Sequence, residues 1–279
     1  MKNNEKISIF GGTGFIGTVF CNLYNDNTIK IERNIRLPQT NNILYFISTV
    51  DNYNVLNDPF VDIDTNLRVL METLDKCRDK NIDVVNFVSS WFVYGETQLP
   101  AHEESYCNPK GFYSITKRCA EQLLVSYCKT FGIRYRILRL GNVYGTTDIK
   151  VSAKKNALQF LINKLKRNEK ISLYDGGNFY RNFIHVSDAC RAIKLICDDG
   201  EYDEIYNIGS VNNSLFKDII KIAAEELNSI STIDSMAPPN FHKIVQVKNM
   251  KLDTKKLHAL GFKEMMTLKM GISELCKNS

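Results

Sequence analysis

ISIFGGTGFIGTVF, residues 7–20, passes from a strand-forming run through a glycine-rich turn into an apolar helical pattern. Gly11, Gly14 and Gly17 fall at intervals of three. A helix that opens straight after a strand presents N–H groups without intrahelical partners and a partial positive charge, which together suit a phosphate. In such a cradle Gly11 allows the tight turn, Gly14 lets the backbone approach a pyrophosphate, and Gly17 lets the helix pack on the strand. Phe15 and Ile16 begin the helix and contribute its first amides. The spacing is G-x-x-G-x-x-G rather than the standard dinucleotide G-x-G-x-x-G. A plain strand-to-helix turn can use the same three glycines.

Working outward, strand-like runs alternate with amphipathic helical stretches. The strands are TIKIE, NILYFIS, VVNFVSS and YRILRL; helices fall after the glycine loop, over TNLRVLMETLDKC and from about Phe112. In the second of these helices Leu67, Leu70, Met71, Leu74 and Cys77 recur at helical period and form one apolar stripe. Unbroken apolar strands between helices imply an α/β fold, a Rossmann-type doubly wound parallel sheet covered on both faces. Residues 1–150 are expected to form the NAD(P)-binding part, joined by segments around 180–210. Residues 151–279, with helices near Ala153–Arg167 and Leu215–Asn228, are expected to form mainly a smaller substrate-binding lobe. A ligand then sits between the two, at the carboxyl ends of the strands.

In such a fold the second strand ends in an acid that holds the adenosine ribose. Glu32 ends TIKIE, and Arg33 and Arg36 follow it. The acid suits NAD and the arginines suit the 2′-phosphate of NADP, so both cofactors stay open here.

Composition excludes several other classes. The 279 residues carry a net charge of +5, 44% hydrophobic and 24% charged residues, as in an ordinary globule. The basic residues are scattered without an aromatic-interleaved stripe, so nucleic acid is not an expected partner. No apolar run is long enough to cross a membrane. Eight cysteines without C-x-x-C spacing read as small buried thiols of a cytoplasmic protein, and four histidines without ligand spacing predict no metal.

KGFYSITKRCAEQLL, residues 110–124, holds Tyr113 and Lys117 one helical turn apart. Tyr106 and Lys110 have the same spacing, but Pro109 interrupts them and removes the helix that would give it meaning. Tyr113 and Lys117 begin a helix and share one of its faces. To act as a base, a tyrosine hydroxyl must be brought from about 10 to near 7, roughly 4 kcal/mol. A neighbouring ammonium and a positively charged nicotinamide supply that, and the same lysine can hold the nicotinamide ribose.

Taken together, these motifs resemble those of the extended short-chain dehydrogenase/reductase family, the NAD-dependent nucleotide-sugar epimerases, dehydratases and reductases. GGTGFIG resembles the family's cofactor loop, VVNFVSSWFVYG its serine strand, YSITK its Tyr-x-x-x-Lys, LRLGNVYG its next strand and RNFIHVSDACRAI its substrate-lobe signature. YNIGS and LDTKKLHALGF also match, so the likeness covers nearly the whole chain. It implies that Ser90 hydrogen-bonds the reacting sugar oxygen, that Tyr113 is the catalytic acid/base and that Lys117 is its partner. It further implies that Asn142 and Arg181 bind the phosphates of a nucleoside-diphosphate sugar, that His185 is structural, and that the protein is a homodimer.

Two departures from the family pattern refine the expectation. Trp91 and Phe92 occupy the two positions where the family's dehydratases carry acids, and neither side chain can deliver a proton. Between Glu32 and Ile43 there are too few residues for the family's third strand and its helix, so one strand–helix unit is deleted and the sheet is narrower. The expected activity is epimerisation of a nucleotide sugar by hydride transfer, C4 first. The alternatives are an NADPH-dependent 4-keto-6-deoxy-sugar reductase and, from another class, a non-catalytic dinucleotide-binding sensor or scaffold.

Overall fold

The structure, a computed structural model, describes residues 5–50, 52–148 and 157–278. Its first half contains β1 (Ile7–Phe10), α1 (Phe15–Leu23), β2 (Thr28–Ile31), β3 (Asn42–Tyr45), α2 (Phe60–Ile63), α3 (Val69–Cys77), β4 (Val84–Ser90), α4 (Phe112–Phe131), β5 (Arg134–Leu140) and β6 (Asn142–Tyr144). A π-helical turn over Asp64–Arg68 joins α2 to α3. There follow α5 (Ala157–Lys166), β7 (Ile171–Tyr174), β8 (Tyr180–His185), α6 (Val186–Asp199), β9 (Glu204–Ile208) and β10 (Asn213–Leu215). The last elements are α7 (Phe216–Glu226), β11 (Ile233–Met236), α8 (Asn240–Val245), α9 (Lys255–Ala259) and α10 (Leu268–Asn278). The start expected for the helix near Ala153 lies outside the described residues.

Six strands form one parallel sheet in the order β2-β1-β3-β4-β5-β9. Alternation along each strand divides its side chains between two apolar layers. Ile7, Ile9, Leu138 and Leu140 pack with Phe20 of α1 and Ile193 and Ile196 of α6. Ile43, Tyr45, Phe87 and Ile137 pack on the other face with Leu70 and Leu74 of α3 and Leu124 and Cys128 of α4. In the stripe expected on α3, Leu70, Leu74 and Cys77 are buried, and Leu67 and Met71 pack at its margin. Helix α4 is defined at both ends. Ser114 Oγ accepts from the Gly111 amide at 2.9 Å at the start, and Gly132 closes it in a left-handed conformation.

β2 is the edge of the sheet, and residues 32–41 return to β3 without a helix or a strand. The sheet is therefore narrow on this side, as the short spacing predicts. Two attachments hold the short connection. Arg36 Nε donates to Glu72 Oε2 at 2.9 Å, and the amides of Gln39 and Thr40 each donate to Ser8 Oγ at 2.9 Å. The chain leaves β1 towards β2 and comes back past it to β3. The strand order thus reverses between β1 and β3, where open α/β sheets place their ligand crevice.

The later chain builds a second core from Leu158 and Ile162 of α5, Ile171 and Leu173 of β7, Ile219 and Ile220 of α7, and Ile272 and Leu275 of α10. Beside it β8 pairs with β6 in parallel and with β10 antiparallel. Leu257 and Phe262 return to the first layer of the main sheet.

Candidate active site

The glycine loop lies at the reversal point. Gly11 has φ +80°, and a Cβ there would fall 2.9 Å from the Ile47 amide just beyond β3. A Cβ on Gly17 would stand 2.4 Å from the Gly11 carbonyl oxygen, so α1 sits on the loop at a distance only glycine permits. Gly14 caps α1, and a Cβ there would meet only Gly11 O, at 3.4 Å, within 4 Å. Its outer side is bare backbone beside the helix amides of Phe15, Ile16 and Gly17. This open cradle fits a dinucleotide pyrophosphate.

Register places Glu32 beside the glycine loop. Phe10 pairs with Ile31, so the next residues, Gly11 and Glu32, stand side by side at the carboxyl edge. Glu32 and Arg33 are exposed there. Arg36 is used differently. It is paired with Glu72 and donates from Nη1 to the Arg33 carbonyl at 2.9 Å, so it fastens the connection instead of standing free for a 2′-phosphate.

Tyr113 and Lys117 are brought together on the buried face of α4, 7% and 1% exposed. Lys117 Nζ donates to the Val88 carbonyl at 2.8 Å and lies 4.0 Å from the centre of the Phe87 ring. Burial pushes its pKa down to about 7, with Glu121 pulling the other way. Phe92 meets Tyr113 edge-on at 5.8 Å and stacks on Trp91 at 4.0 Å. Ser90 lies between Val88, which Lys117 holds, and Phe92, which touches Tyr113; its Oγ accepts from the Phe92 amide at 3.3 Å. Tyr106, in contrast, is 75% exposed, and Lys110 is paired with Glu96 at 2.5 Å. Pro109 lies within this second pair and ahead of α4, so only Tyr113 and Lys117 share a helix.

Beneath this group lies a charged network that the sequence reading missed. Glu121, one turn after Lys117, accepts from Ser89 Oγ at 2.6 Å and from Arg118 Nη1 at 2.8 Å. Arg139 of β5 approaches it with Nε at 3.0 Å from Oε1 and Nη2 at 2.8 Å from Oε2. Burial alone would raise the Glu121 carboxyl, but Arg139 and the other donors hold it below its usual value. The π-turn adds Asn66, whose Nδ2 donates to Thr116 Oγ1 of α4 at 2.9 Å and whose Oδ1 accepts from the Thr49 amide at 2.9 Å. The signal for Glu121 was its fourfold spacing from Tyr113 and Lys117, on the same face as Leu124 and Cys128.

Asn142 and Arg181 lie on neighbouring strands, β6 and β8. Asn142 Nδ2 donates to the Asn182 carbonyl at 3.0 Å. Arg181 Nη1 donates to the carbonyls of Tyr180 (2.8 Å) and Lys248 (2.7 Å), and Nη2 to that of Val247 (3.1 Å). Its guanidinium lies over Phe179 at 4.7 Å and over Trp91, the residue after Ser90, at 5.4 Å. Burial lowers its pKa to about 10. Among the described residues no acid forms an ion pair with it, an arrangement suited to an anionic ligand. His185 Nδ1 lies 2.7 Å from Ser187 Oγ at the start of α6, a structural position.

Residues 43–209, well over half of the chain, match the model of the NAD-dependent epimerase/dehydratase family. The chain belongs to this family. A putative UDP-glucose 4-epimerase of Methanocaldococcus jannaschii is 28% identical over 88% of this chain and 79% of its own length. A dTDP-D-glucose 4,6-dehydratase of Dictyostelium discoideum is 31% identical over 71% of this chain but only 42% of its own length. The UDP-glucose 4-epimerase of Thermotoga maritima, solved with UDP-glucose, superposes with a TM-score of 0.86 over 98% of both chains at 19% identity, which shows the shared fold. The epimerase/dehydratase family thus accounts for the parallel sheet, and for a nicotinamide dinucleotide as the group that the glycine cradle fits.

Proposed function

We propose that this family member is a nucleoside-diphosphate-sugar 4-epimerase that keeps its NAD through each turnover. When bound, the nicotinamide supplies a reversible hydride acceptor. Gly11, Gly14, Phe15, Ile16 and Gly17 bind the pyrophosphate, and Glu32 binds the adenosine ribose. Tyr113 takes the proton from the sugar 4-hydroxyl and returns it to the same oxygen. Ser90 orients that oxygen. Lys117 stabilises the tyrosinate from one turn away and holds the nicotinamide ribose. Arg181 and Asn142 hold the diphosphate, and rotation of the 4-keto sugar about it exposes the opposite face of C4, which inversion requires, while the 4-oxygen stays with the same tyrosine.

The observation that carries this reading is the Phe92 ring set edge-on against Tyr113. Eliminating water needs a second proton donor beside the tyrosine, and an aromatic ring fills that place. The relatives that act at C4 by their printed names support the choice of carbon. One-way reduction of a 4-keto sugar needs the same three residues, and exposed Arg33 favours it by offering a cation to a 2′-phosphate. A sensor or scaffold would not need them together. Denaturing the purified protein and identifying the released dinucleotide by mass spectrometry separates these readings. Stoichiometric NAD supports the epimerase; no retained cofactor, with NADPH binding on addition, supports the reductase.

The reading extends to assembly and location. Ile115 and Leu123 on α4 and Phe60 and Ile63 on α2 are exposed apolar side chains, and a second copy of the chain would cover them. Eight free thiols suit the reducing cytoplasm. Among the described residues no helix is long and apolar enough to cross a membrane.

A further inference from the structure

Asn52 and Tyr53, on the segment that leaves β3, reach two places at once. Asn52 is fully buried. Its Oδ1 accepts from the Ser114 amide at 3.3 Å in the first turn of the Tyr113 helix, and its Nδ2 makes a long 3.5 Å approach to the Val245 carbonyl at the end of α8. The fit is close, since a Cβ on Gly111 would lie 2.1 Å from Asn52 Oδ1. Tyr53 Oη and His242 Nδ1 of α8 are 2.9 Å apart, and the Tyr53 ring packs on Phe241 at 5.2 Å.

After α8 and its capping residue Gln246 come Val247 and Lys248, whose carbonyls receive the Arg181 guanidinium. Met250 follows, and its amide donates to the Tyr180 carbonyl at 3.0 Å. A continuous set of contacts therefore runs from the start of α4, through Asn52 and Tyr53, along α8, to Arg181. The charged and titratable groups around His242 fit this role. Burial and Arg181 lower its pKa while Asp175 opposes them, which favours the neutral ring beside Tyr53. Tyr174 packs against its other side at 4.7 Å.

We propose that Asn52 and Tyr53 are positioning residues. They set where α8 lies, hence where the Val247 and Lys248 carbonyls hold Arg181, and so govern nucleoside-diphosphate affinity without forming part of the diphosphate contact. The proposal rests on the reading of Arg181 as the diphosphate ligand.

The test is a double-mutant cycle on the NAD-saturated protein, with UDP as the probe and calorimetry as the readout. Tyr53→Phe removes one hydroxyl without changing the ring. It is expected to weaken UDP about 2- to 10-fold, the scale of one hydrogen bond. The NAD affinity of the unsaturated protein is expected to stay within about twofold, the margin of additivity. In an Arg181→Ala background the same substitution is expected to change UDP affinity by less than that margin. Equal UDP weakening in both backgrounds, no weakening in the parent, or parallel loss of NAD affinity each overturns this positioning role. A parent protein that binds no UDP overturns the functional reading as well, and is told apart because the cycle then has no starting affinity.

Discussion

The ammonium nitrogen of Lys117 lies 2.8 Å from the carbonyl oxygen of Val88, two residues before Ser90. This contact fastens the helix that carries Tyr113 to the strand that carries Ser90, and it does so inside the protein. With a folded pKa of about 7 against 10.5 for an ordinary lysine, the unfolded chain binds a proton between those values that the folded chain lacks. Stability of the cofactor-stripped protein therefore gains from this group as pH rises from 7 towards 10.5, by at most about 1.4 kcal/mol per pH unit. Below pH 7 both states hold the proton and the burial penalty is full. Urea unfolding at pH 7 to 9.5 is expected to show this gain in the parent and its loss in Lys117→Met.

Gly14 and Gly17 make different predictions although both belong to the loop. A methyl on Gly17 would fall 2.4 Å from a backbone oxygen, so Gly17→Ala is expected to cost about 1–3 kcal/mol of stability through displaced backbone. A methyl on Gly14 meets only an oxygen at 3.4 Å, so Gly14→Ala is expected to keep the parent melting temperature and lose NAD affinity. Calorimetric melting together with NAD titration distinguishes the two.

Glu121 and Arg139 are each 1% exposed at their side chains. Breaking such a pair leaves one charge buried without its partner, which costs about 3–5 kcal/mol. Glu121→Ala is expected to lose that much in urea unfolding. Ser89→Ala removes only one donor to Glu121 and is expected to lose about 1.5–3 kcal/mol.

Much of the molecule was legible in the sequence, and the exceptions have physical causes. The parallel sheet followed from β1, β3 and β4 being apolar on both faces, and the narrow edge from the short run between Glu32 and Ile43. The Tyr113–Lys117 pair stood out from Tyr106–Lys110 because a proline breaks only the second. That Arg36 is already paired could not be read from the sequence, because its partner, Glu72, lies on a different element. Glu121 and Arg139 likewise answer each other across α4 and β5. Local pattern shows that a helix has a buried face but not which strand residue answers a charge on it. Asn52 and Asn66 carry no periodic signal, since each acts through side-chain hydrogen bonds to separate segments.

The exposed apolar residues of α4 and α2 make a prediction about assembly. Ile115 is 48% and Phe60 65% exposed in the single chain. If a second copy covers them, light scattering coupled to size exclusion gives a dimer mass for the parent and a monomer mass for Ile115→Asp.

In the proposed reaction Tyr113 moves the proton at a sugar 4-oxygen. The most direct measurement follows, by proton NMR, formation of the C4 epimer from UDP-glucose and UDP-N-acetylglucosamine by the parent and by Tyr113→Phe. A C4 epimer is expected from at least one sugar, at a rate lower by about 10²–10⁴ in the variant, the usual contribution of general acid–base catalysis. Equal rates in the two proteins, or no C4 epimer from the parent, would contradict it.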